Sequence, residues 1–180
     1  MRKNGFTLVE MLIVLGILSI LSVIFVEIFF RTLRGGNEAQ ILGVIKQNGQ
    51  VALETMDKII RNSDKVVCPQ ANSSADTLVV QKKTIFFRFR FNPPTVSANG
   101  FISQDNVSDC TSPLSNAVSL TNQNITSGVS VLSGSFSRNS VSSFKDLVTI
   151  SFNMGPAVNI PKTLTNTLDP IKFNTSVVLR

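Results

Sequence analysis

From Met11 to Val26 the chain carries no charged residue, and apolar side chains resume at Ile28, Phe29 and Phe30. A helix over residues 6–30 would extend about 37 Å at 1.5 Å per residue, enough to cross a hydrocarbon layer about 30 Å thick. A short basic leader with Arg2 and Lys3 precedes it and ends in Gly5. One carboxylate, Glu10, stands near the start of the run. At a bilayer centre such a charge costs roughly 2.5–3.5 kcal/mol, so its presence calls for a partner. The nearest candidate is an α-ammonium on Phe6, which exists only if the Gly5–Phe6 bond is cut. A secretory signal peptide fits poorly, because no small-residue cleavage site follows the run. A plain membrane anchor leaves Glu10 and the Gly5–Phe6 junction without a purpose.

The segment G-F-T-L-V-E followed by a hydrophobic helix resembles the class III signal of type IV prepilins and type II secretion pseudopilins. The resemblance maps onto Gly5, Phe6, Thr7, Leu8, Val9 and Glu10. It implies that a prepilin peptidase cuts after Gly5 and that Phe6 is then N-methylated. It further implies assembly with other pilin or pseudopilin subunits in a helical filament, through an inner-membrane assembly platform. Glu10 would serve as the carboxylate that pairs with the Phe6 ammonium of a neighbour. Arg2 and Lys3 before the span are balanced by Arg31 and Arg34 after it, so the positive-inside count gives no orientation. The resemblance does: leader in the cytoplasm, bulk of the chain outside. Many major pilins carry a helix-kinking proline where this chain has Glu27, which suggests a minor subunit, and Gly35-Gly36 is an alternative place for a flexible break. The segment Gln50 to Asn62, ending I-I-R-N, and the terminal F-N-T-S-V-V-L-R are similar to larger minor pilins and pseudopilins of the J and W kinds.

The expected organisation is a leader over 1–5, a transmembrane or filament-core helix over 6–30, a linker and amphipathic helix over 31–63, and a β-rich domain over 64–180. The last is long enough to bury a core of its own. The net charge of +6 is diffuse, and its juxtamembrane share suits contact with lipid headgroups before assembly. Outside the cytoplasm, the only two cysteines, Cys68 and Cys110, read as one disulfide. In the chain-entropy model it is worth about 4 kcal/mol.

Residues Ile41, Ile45, Gly49, Ala52, Met56 and Ile59 or Ile60 recur at helical spacing up to Arg61. Glu54–Lys58 and Asp57–Arg61 are placed as i,i+4 pairs on the other face. Beyond this helix, period-2 alternation marks strands over 84–91, 147–154 and 171–180, with weaker signals at Val79-Val80 and 129–136. The predicted fold class is therefore α+β, with one long N-terminal helix packed on an antiparallel sheet. Alternation in 84–91 puts Ile85, Phe87, Phe89 and Phe91 inward and Arg88 and Arg90 on a solvated face. Charge and aromatic rings thus fall on opposite sides, and a nucleic-acid stripe is not indicated. Residues 92–143, rich in Ser, Thr and Asn with several turn signals, read as exposed loops and short strands.

Catalysis has little to work with. The chain has no histidine and no tyrosine, and no nucleophile elbow, phosphate loop or HExxH motif is present. The reading is of a non-enzyme. No cofactor is expected; Asp105 and Asp109 are a weak calcium candidate with oxygen ligands but without EF-hand spacing. A structural filament subunit is the leading interpretation. A tip adhesin or DNA-uptake module using the 92–143 loops is the alternative, and a plain membrane-anchored β domain a third.

Overall fold

The computed structural model describes residues 7–141, 144–161 and 168–180. It is an α+β fold: among the described residues, one long helix, α1 (Leu8–Arg61), is followed by nine strands in two antiparallel sheets. The chain divides into two compact units, 1–39 and 40–180. In the first unit α1 carries a continuous apolar surface, with every large side chain from Leu8 to Phe30 exposed. The helix continues through Gly35 and Gly36, so the break expected there is absent. A glycine pair lowers helix propensity by about 1 kcal/mol per residue, which the surrounding good formers offset.

In the second unit α1 turns amphipathic. Its buried residues are Ile45, Gly49, Ala52, Met56 and Ile60, a 3,4-spaced stripe that covers one face. Of the two expected helix-surface ion pairs, Asp57–Arg61 forms at 2.9 Å. Glu54–Lys58 does not; Lys58 instead lines a groove against Lys82 and Phe87.

The strands are β1 (Lys65–Cys68), β2 (Ser73–Ala75), β3 (Thr77–Lys82), β4 (Ile85–Asn92), β5 (Phe101–Asp105), β6 (Val118–Ser119), β7 (Val129–Asn139), β8 (Leu147–Pro156) and β9 (Ile171–Val178). One sheet has the order β1-β3-β4-β5-β6 and the other β2-β7-β8-β9. The 92–143 stretch is thus more ordered than its composition suggests: β5, β6 and β7 all come from it. Its Gly100 is tied to β7 through Val131 N–H to Gly100 O at 2.9 Å and Gly100 N–H to Ser130 Oγ at 3.0 Å.

Both sheets and the helix stripe share one core. Phe91 of β4 stacks on Phe136 of β7 at 4.5 Å and lies 5.7 Å from Phe152 of β8, which stacks on Phe173 of β9 at 5.1 Å. Two glycines make room for these rings. A Cβ on Gly49 would lie 2.2 Å from the Phe173 ring, and one on Gly134 would lie 2.5 Å from the Phe91 ring. Phe91 is itself held against the rings of Phe136 and Phe152. Gly134→Ala is therefore expected to cost about 1–3 kcal/mol through overpacking, read as a lower urea midpoint with unchanged slope.

Candidate functional site

The helix start is built locally. Thr7 precedes the first turn, and its Oγ1 accepts the Glu10 N–H at 3.3 Å while the Glu10 carboxylate faces the Thr7 N–H at 3.5 Å. This is a capping box: each side chain satisfies a backbone donor that a helix N-terminus leaves unpaired. The Thr-x-x-Glu spacing was legible in the sequence and gives Glu10 a second role beside the expected charge partner. Gly5 and Phe6 lie outside the described residues. From Leu8 to Phe30, α1 is long and apolar enough to cross a membrane, with none of that window buried. At its end Glu27 and Arg31 form an exposed i,i+4 pair at 2.6 Å, which softens the charge the span meets where apolar residues give out.

A second polar centre lies in the β-rich unit. Arg88 is expected on a solvated face, but it is 1% exposed. Its guanidinium grips Asp105 of β5 in a fork, with Nε to Oδ1 at 2.7 Å and Nη2 to Oδ2 closer still. The same group donates to the carbonyls of Asp109, Ser112 and Pro113 at 2.9–3.0 Å. Arg90 donates to the Cys110 and Ser112 carbonyls at 2.9 and 3.2 Å and to Thr77 Oγ1 at 3.1 Å. Five carbonyl contacts thus bind the loop after β5 onto the arginine face of β4. The outward face predicted from alternation is covered, because this loop folds back over it. Cys110 lies in that loop and is joined to Cys68, the last residue of β1.

Burial by itself would push the Asp105 carboxyl up, but the Arg88 fork and the Ser115 N–H outweigh it and hold it below the ordinary carboxylate range. The Arg88 guanidinium is raised, first by its hydrogen bonds to Asp105, against the opposing effect of burial. Asp109 is held low by the N–H and hydroxyl of Thr111. The two aspartates therefore have separate tasks. Asp105 commits both oxygens to Arg88, and Asp109 caps its own turn through Thr111. Among the described residues no group of three or more His, Cys, Asp or Glu side chains is placed to hold a metal ion.

A family model for the prokaryotic N-terminal methylation motif matches residues 1–26. The match supports a type IV pilin-like precursor and points to a structural protein. No curated protein and no solved structure matches the chain.

Proposed function

We propose that this chain is a filament subunit, a minor pilin or pseudopilin, whose mechanism is assembly rather than catalysis. The observation that carries the reading is the methylation motif over residues 1–26 continuing into an exposed apolar helix. On this reading residues 1–5 are a leader removed by a prepilin peptidase, and Phe6 becomes the methylated terminus. Residues 6–30 hold the precursor in the cytoplasmic membrane and later pack against the same segment of other subunits. The β-rich unit, from about residue 64 onward, lies outside.

The chemistry follows from dielectric. In an apolar filament core an unpaired carboxylate or ammonium is costly, whereas a Phe6 ammonium paired with a neighbour's Glu10 is tolerated and fixes the stagger between helices. The Thr7–Glu10 capping box supplies the orientation, holding the carboxylate at the helix start where a terminal ammonium can approach. The test is the behaviour of Glu10→Val and Glu10→Gln in filament incorporation. Both are expected to insert in the membrane and both to be excluded from filaments.

A further inference from the structure

At the carboxyl end of α1 a groove of about 130 Å³ is lined by Lys58, Ile59, Asn62, Lys82 and Phe87. Its floor is apolar, since Ile59 and Phe87 are only partly buried against the core, and Ile85 two residues before Phe87 is 53% exposed. Its rim is cationic. Neither Lys58 nor Lys82 has an ion-pair partner among the described residues, and no carboxylate lines the groove. Glu54, one turn before Lys58, makes no ion pair with it, and two other acids close in the chain are engaged elsewhere. Asp57 holds Arg61, and Asp64 accepts the backbone N–H of Lys83 at 2.6 Å.

The turn that presents Lys82 is held in an unusual state. Lys83 has φ 54°, a left-handed conformation that a long side chain adopts at a cost. Two hydrogen bonds keep it there: Asp64 on its N–H, and the Gln81 side-chain amide donating to its carbonyl at 2.6 Å. A glycine or asparagine would adopt this turn more readily. The turn so held sets Lys82 on the rim of the groove with Lys58.

We infer that this groove docks an acidic segment of another protein, with one apolar side chain seated on Ile59 and Phe87 and flanking carboxylates paired with Lys58 and Lys82. The volume admits a single side chain, which suits a peptide anchor better than a stacked strand of bases. Charge complementarity comes from the two unpaired ammonium groups, and Asn62, whose Nδ2 already donates to the Lys58 carbonyl at 2.7 Å, keeps its Oδ1 to accept from the peptide backbone. The inference is independent of the filament reading, because it uses only the 40–180 unit.

The experiment titrates the full chain, in neutral detergent micelles, with an acetylated Asp-Glu-Leu-Phe-Glu-Asp amide, following backbone amide shifts. Shifts confined to the surroundings of Lys58, Ile59, Asn62, Lys82 and Phe87 are expected, weakening as salt rises. The double variant Lys58→Glu/Lys82→Glu alters exposed positions and leaves the fold intact. It should lose at least about tenfold in affinity, as should the wild type toward the Asn/Gln version of the peptide. Absence of shifts at the groove, or equal affinity for the uncharged peptide, overturns the inference. Tighter binding of dodecathymidine, or of phosphatidylglycerol doped into the micelle, at the same residues would assign the groove to nucleic acid or lipid and overturn it too.

Discussion

Asp105→Ala is expected to lower the stability of the β-rich unit by about 3–5 kcal/mol, the cost of leaving a buried charge without its partner. The Arg88 and Asp105 side chains are 0% and 1% exposed, so water cannot replace the lost carboxylate. Against a total stability of about 5–15 kcal/mol, this removes a large share. With a urea slope of about 1–3 kcal/mol/M, the midpoint should fall by about 2 M. Arg88→Ala should do as much, since it also releases the carbonyls of Asp109, Ser112 and Pro113. Asp57→Ala, which breaks an exposed helix-surface pair, should leave the midpoint nearly unchanged.

The same pair predicts a pH dependence. Asp105 has a folded-state pKa below its unfolded one, so its contribution is complete above the unfolded value of about 3.9. It is lost as pH falls through the folded value. Wild-type stability should therefore decline at the acid end, and the decline should be shallower in Asp105→Asn. An equal acid slope in both proteins would show that folding does not lower the pKa of this carboxyl.

The second large effect is on assembly. Glu10→Val should insert in the membrane at least as well as wild type, because it removes a charge from an apolar span. Its incorporation into filaments should nonetheless fall by at least about tenfold, since each decade needs only about 1.4 kcal/mol and an unpaired buried ammonium costs more. Glu10→Gln separates the two roles of this side chain. Glutamine closes a capping box as glutamate does, so helix initiation through Thr7 survives while charge pairing does not. Exclusion of Glu10→Gln assigns the effect to charge; normal incorporation would reduce Glu10 to a helix cap.

How much of this was legible in the sequence depended on whether the cause was local. The helix stripe Ile45, Gly49, Ala52, Met56 and Ile60 follows from 3.6-residue spacing, and it is buried as that spacing requires. Strand β8 likewise buries Val148, Ile150, Phe152 and Met154 in strict alternation. Strand β4 shows where period-2 alternation stops being informative. Alternation correctly put Arg88 opposite Phe89, but it carries no information on what covers the other face. That face is covered by a loop some twenty residues later, held by carbonyls that no side-chain pattern records. Nor could composition show that Asp105 sits in a strand as the Arg88 partner, because a run of Asp, Asn and Ser reads equally well as a turn. Gly49 and Gly134 look like helix and strand weak points until Phe173 and Phe91 are seen lying over them. Thr7 is different: its cause is local, since the Thr-x-x-Glu spacing that closes the capping box is present in the sequence.

The central claim, that this amino terminus is a processed prepilin end, is tested most directly by the mass of the amino-terminal peptide from the protein in its native membrane. The expected chain begins at Phe6, lacks Met1 to Gly5 and carries one methyl group on the new amine. A chain that retains Met1 to Gly5 in cells with an active prepilin peptidase would contradict the account and leave α1 as a plain membrane anchor.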